Sequence, residues 1–132
     1  AGYQPEHVKL SAIPVNSGDT PSLAWRVEID DQVIVVTGDF NNSKNLVATF
    51  AKGADALVVS HAIPENSRGT LRELHSRPSQ LGRIADQANA RMLILGHRNA
   101  RTRGRESLSR AAMEENYDGP ILFANDGECW GL

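Results

Sequence analysis

The sequence predicts an α/β fold on a mixed sheet, because strand-like alternation in its first third gives way to apolar runs separated by helix signals. Up to Thr37, apolar side chains recur at every second position: Val8, Leu10 and Ala12, then Leu23, Trp25, Val27 and Ile29, with Arg26 and Glu28 on the other side. A period of two is antiparallel strand grammar. Asp30-Asp31 supplies a tight turn into a strand over Gln32 to Thr37. Residues 7 to 37 therefore read as a small meander whose first loop is Asn16-Ser17-Gly18-Asp19. The runs Val33 to Val36, Ala56 to Val59, Met92 to Leu95 and Pro120 to Ala124 have the length of strands buried in a parallel sheet. Between them, Leu46, Val47 and Phe50 form a helical stripe closed by Gly53. A second stripe, Leu81, Ile84, Ala85 and Ala88, is opened by Pro78. A third helix is expected from Glu106 to Asn116, with Leu108, Ala111 and Ala112 inward. Strand, helix, strand in repetition implies parallel strands with right-handed crossovers.

At 132 residues the chain is one domain long, with no linker, internal repeat or low-complexity segment to divide residues 1–132. Cys129 is the single cysteine, so neither a disulfide nor a thiolate metal site can be assembled within the chain. A formal net charge of -2 gives no overall electrostatic footprint for nucleic acid or an anionic membrane. General nucleic-acid binding is accordingly not expected. No stretch approaches the roughly 20 apolar residues that span a bilayer, and Ala1 to Glu6 lack the apolar core of a signal peptide. The expectation is a soluble protein, cytoplasmic or periplasmic. Asn41-Asn42-Ser43 matches a glycosylation acceptor, a triplet that arises often by chance.

Chemistry is expected where the strands end. Asp39, His61, His97 and Asp126 each follow an apolar run by a few residues, and in open α/β sheets the carboxyl ends of strands are where sites are assembled. Aspartate and imidazole gathered on one edge point to a metal site. Asp39 follows a glycine that would let the backbone bend, and offers a hard oxygen able to bridge two cations; a turn or helix N-cap aspartate is the alternative. His97 offers the commonest metal ligand, against a surface histidine. His75 precedes Ser76-Arg77-Pro78 at a helix start, where imidazole suits general-acid duty or simply caps the loop. Arg98, Arg101, Arg103 and Arg105 crowd behind His97, and Arg98 and Arg101 in particular would place guanidinium forks for phosphate oxygens unless the loop is merely solvated.

Four segments in order resemble the C-terminal half of metallo-β-lactamase-fold hydrolases, most nearly the ribonuclease Z-like branch: Gly38-Asp39, Lys52 to Val59, Leu74-His75-Ser76, and Leu93 to Arg101 with Leu95-Gly96-His97. The late Phe123-Ala124-Asn125-Asp126-Gly127 extends the likeness. The resemblance implies a half-sandwich, a mixed sheet covered by helices on one face. It also implies a metal-dependent hydrolase in which a metal-bound hydroxide attacks a phosphodiester or related ester. Asp39 and His97 would then be ligands of a divalent metal, zinc being the expected ion. His61 would contact the metal or orient a ligand, and His75 would assist the leaving group. The family's His-x-His-x-Asp-His loop has no counterpart among His7, His61, His75 and His97. Half the site is therefore expected to be missing, and the chain to be a fragment or a half-protein. The competing expectation is a non-catalytic half-fold that binds a partner or dimerises. Either way the sheet face turned from the helices, including Leu23, Trp25 and Val27, would be bare until the missing N-terminal half or a second copy covers it.

Overall fold

The computed structural model describes residues 8–17, 20–43, 45–96, 102 and 104–124. In chain order it runs β1 (Val8–Ser17), β2 (Thr20–Ile29), β3 (Gln32–Thr37), α1 (Val47–Phe50), β4 (Ala56–Ser60), α2 (Thr70–Leu74), α3 (Pro78–Ala88), β5 (Leu93–Gly96), α4 (Glu106–Glu114) and β6 (Ile121–Phe123). The strands form one six-stranded sheet in sequence order. The pairs β1–β2 and β2–β3 are antiparallel, and the pairs β3–β4, β4–β5 and β5–β6 are parallel. The expected meander and three crossovers are thus both present. Asn16 and Ser17, expected in the first loop, belong instead to β1, which continues to Ser17 and pairs it with Thr20. Asp30 makes the second turn at φ 53°, a left-handed conformation that aspartate tolerates better than most residues. The five-residue α2 has no apolar stripe, and none of its residues is buried. Periodicity therefore gave no sign of it.

One face of the sheet meets the helices. Val15, Ala24, Val35, Leu57, Val59, Leu93, Leu95 and Ile121 are buried there with Val47, Leu81, Ile84, Ala85 and Met113. Arg26 also lies on this side, and its guanidinium donates to the Phe50 carbonyl at 2.8 Å and the Lys52 carbonyl at 3.1 Å, satisfying acceptors at the end of α1. The opposite face follows from the register: Leu10↔Val27, Ala12↔Trp25, Trp25↔Val36, Val27↔Ile34, Val36↔Val58 and Val58↔Ile94 carry one apolar surface across five strands. Leu10 is 61% exposed, Leu23 45% and Trp25 41%. Val8, Ile29 and Val36 are exposed as well, and Val27 is half-buried. The bare face expected from the pattern is there.

Helix α4 is turned from its expected orientation. Leu108 and Ala111 face solvent, Leu108 at 70% exposure, while Ser109, Ala112 and Met113 face in. Two contacts fix this rotation. Ser109 takes up a buried histidine, described below, and Met113 sits against Gly82 of α3. A Cβ on Gly82 would lie 2.5 Å from the Met113 carbonyl oxygen and 2.8 Å from its Cα. We expect Gly82→Ala to destabilise the fold by about 1–3 kcal/mol in denaturant unfolding, because overpacking against backbone outweighs alanine's better helix propensity.

Asp55 ties the start of β4 to its neighbours on both sides. Its Oδ2 accepts from the Val33 amide at 2.8 Å and its Oδ1 from Arg91 at 2.8 Å. The Val33 hydrogen bond, helped by Arg91 and opposed by partial desolvation, holds this carboxyl below the usual aspartate value. A folded pKa depressed below the unfolded one, about 3.9, contributes stability that is present above pH 4 and is lost as pH falls through the folded value. Asp55→Asn should therefore cost about 1–2 kcal/mol at neutral pH, and thermal melts of variant and parent should converge only as pH falls through the depressed folded value.

Candidate metal and acid–base site

Asp39 lies just beyond β3 and His75 just beyond α2, and their side chains meet: His75 Nδ1 is 3.7 Å from Asp39 Oδ1. Phe40, Ser60 and Ser76 complete a shallow depression around them. Four hydrogen bonds hold the two segments together. Ser76 Oγ donates to the Phe40 carbonyl at 2.7 Å, Ser17 Oγ to the Leu74 carbonyl at 2.7 Å, and the Asn41 side-chain amide to the Glu73 carbonyl. The Asn41 backbone amide in turn donates to the Asn16 carbonyl at 2.7 Å. The loop after β3 is therefore clamped between the end of β1 and the end of α2. Each of these bonds has at least one end within two residues of Asp39 or His75. None of these anchors was legible as a functional residue, since isolated serines and asparagines carry no periodic signal.

Gly38 acts differently from expectation. Its φ is not positive, its amide donates to the Leu23 carbonyl at 3.0 Å, and a Cβ would meet Ser22 Oγ at 2.6 Å. Close approach to β2, rather than a bend, is what glycine allows here. Asn41, the first residue of the glycosylation triplet, spends its amide on Glu73 and its Oδ1 on the Ser43 amide at 2.9 Å.

His61, expected among the metal donors, is instead built into the protein interior. Its amide donates to the Gly96 carbonyl at 2.9 Å, extending the β4–β5 ladder by one residue. Strand alternation then puts its side chain on the side of Leu57 and Val59, and leaves Ser60 to open on the depression. The ring is 1% exposed, with Nε2 2.8 Å from Ser109 Oγ and the ring tilted against Phe123 at 5.4 Å between centroids. Thr102 Oγ1 donates to its carbonyl at 2.9 Å. His61 thereby joins β4, the segment after β5, α4 and β6.

His97, Arg98 and Arg101, like Asp126 and Cys129, lie outside the described residues. Among the described residues no group of three or more histidine, cysteine, aspartate or glutamate side chains could hold a metal ion. Asp39 and His75 offer one carboxylate and one imidazole, donors of the right kind, where a catalytic zinc takes three from protein. The described set alone therefore does not close a metal site.

No protein-family model matches the chain. Its sequence is similar to ribonuclease Z of Pediococcus pentosaceus, 39% identical over 77 residues that make up 58% of this chain and 25% of that protein. It is also similar to ribonuclease Z of Pseudomonas putida, 32% identical over 105 residues, 72% of this chain and 32% of that one. Among solved structures, the metallo-β-lactamase fold protein YhfI from Bacillus subtilis matches with a TM-score of 0.73 at 20% identity, over 98% of this chain and 54% of its own length. The fold is thus a metallo-β-lactamase fold in part, with a ribonuclease Z-like sequence. The chain spans a quarter to a third of the curated relatives and about half of the YhfI structure. Among the described residues, no helix is long and apolar enough to cross a membrane.

Proposed function

We propose that this partial metallo-β-lactamase fold, ribonuclease Z-like in sequence, contributes one half of a metal-dependent hydrolase acting on a phosphodiester or related ester. The observation that carries the reading is the Asp39–His75 pair, 3.7 Å apart at the carboxyl end of the sheet and clamped there by Ser17, Asn41 and Ser76. Asp39 and His97 are the proposed ligands of a divalent metal, zinc by preference, and the remaining donors come from another segment. When bound, the metal would supply Lewis-acid polarisation and an activated water. His61, with its Nε2 on Ser109, serves as a positioning residue that fixes the strand end from behind. His75 has Nδ1 turned to the Asp39 carboxylate, so Nε2 is the ring atom left to carry a proton to the leaving oxygen. Arg98 and Arg101 are proposed phosphate contacts. Overall charge argued against general nucleic-acid binding, but relatives named ribonuclease favour a polyribonucleotide phosphodiester over a small ester.

The exposed apolar face favours a second reading, in which the half-fold acts by association. A contiguous bare face of several hundred Å² is rare on stable monomers, and wetting 400 Å² forfeits of order 10 kcal/mol at about 25 cal/mol per Å². The occupant is a missing N-terminal half or, in the simplest closed arrangement, a second copy about a two-fold axis.

The two readings separate experimentally. Mixed with a polypeptide carrying the His-x-His-x-Asp-His loop, the chain should acquire metal-dependent cleavage of a short oligoribonucleotide, and Asp39→Ala should lower the rate about a hundredfold or more. Unchanged turnover in that variant would sink the hydrolase reading. For association, sedimentation at micromolar concentration should show a dimer or a complex with the added half, and Trp25→Lys should shift it toward monomer. A compact monomer in the parent chain would refute this arrangement.

A further inference from the structure

Beside the Asp39–His75 pair runs an open cleft of about 350 Å³, lined by Asn41, Ser43, Gly69, Arg72, Glu73 and Gln80. Its two walls are the loop after β3 and helix α2, and each wall continues directly into the site: Asn41 is two residues from Asp39, and Glu73 two from His75. Five of its six lining residues, Asn41, Ser43, Arg72, Glu73 and Gln80, carry polar side chains, more than is usual in small-molecule pockets. Its hydrogen-bonding capacity is specific in kind. Gln80 spends its Oε1 on the Arg77 amide at 2.9 Å, which leaves its NH₂ to donate elsewhere. Ser43 Oγ accepts from the Asn16 side chain at 3.3 Å, which leaves its O–H to donate. The Arg72 side chain is exposed and makes no ion pair or hydrogen bond with another described residue, so its guanidinium is a fork with no carboxylate to hold. Glu73 contributes the one carboxylate, an acceptor set among donors.

Donors from three segments with a single acceptor match an anion flanked by a hydroxyl. Guanidinium and amide N–H groups suit phosphate oxygens, and a carboxylate suits a sugar hydroxyl. We infer that this cleft binds the nucleotide next to the scissile bond, Arg72 holding its phosphate with Gln80 and Ser43 in support, and Glu73 accepting from the ribose 2′-hydroxyl. The inference rests on the hydrolase reading for its substrate class and adds to it a place and a polarity: the polyribonucleotide backbone leaves the Asp39–His75 pair along α2. The 2′-hydroxyl is the group by which a protein distinguishes RNA from DNA at a given position.

The test measures binding as well as turnover. With the full chain in its assembled state, fluorescence anisotropy of a labelled single-stranded oligoribonucleotide and its deoxy counterpart would be titrated over a range of salt concentrations. Arg72→Gln should weaken oligoribonucleotide binding roughly tenfold and lower the slope of log affinity against log salt by about 0.7, the loss of one phosphate contact. Glu73→Ala, which removes the acceptor, should erase the preference for ribose over deoxyribose. If Arg72→Gln binds and cleaves as the parent does, the cleft is not the subsite, and the hydrolase reading survives without it. If the parent cleaves nothing yet binds in an Arg72-dependent, ribose-selective way, the cleft stands and hydrolysis falls. Equal affinity of the parent for ribose and deoxyribose strands would overturn the role given to Glu73.

Discussion

The structure depends on one constraint: its central strands are apolar on both faces, and helices cover one of them. Val35, Leu57, Leu93 and Leu95 disappear beneath α1, α3 and α4, while their neighbours Val36 and Val58 continue the surface begun by Leu10, Leu23 and Trp25. β2 shows the asymmetry most sharply. Its large apolar residues Leu23, Trp25 and Ile29 are exposed, and the side facing the helices holds Ala24, which is buried, and Arg26, the latter occupied with the carbonyls at the end of α1. Such a strand is shaped for two layers of packing, and its fit to one of them is polar and small.

The site inherits its geometry from the same sheet. Parallel strands bring Asp39 and Ser60 to one end, and the hydrogen bonds of Ser17, Asn41 and Ser76 then bring the α2 terminus, with His75, onto that end. His61 works from behind, and the alternation of β4 is what separates it from Ser60. A residue that looks like a ligand from its place in the sequence is thereby made part of the wall that holds the strand end still.

Much of the architecture was legible in the sequence because period-two alternation and unbroken apolar runs report directly on which backbone is paired and buried. The strands, the Asp30 turn, α3 with Pro78 at its start, and the bare face of Leu23 and Trp25 all follow from that signal. What escaped it depends on single tertiary contacts. Helix α4 carries two overlapping stripes, and which one faces inward is decided by Gly82 opposite Met113 and His61 opposite Ser109. Helix α2 buries nothing and exists because its end is tied to Ser17 and Asn41. Asp39 and His75 were each legible as candidate residues; their meeting, and the anchors that place them together, were not.

The sequential strand order has a kinetic consequence. Each strand pairs with the one before it, so the sheet can grow in the direction of synthesis without waiting for a distant segment to close the ladder. The hairpin of β1 and β2 needs only local pairing, and it carries Leu10, Leu23 and Trp25 of the exposed face. That face stays wet after the whole sheet has paired. An apolar face of this extent left open to water is a place for aggregation that no further folding of the described residues removes.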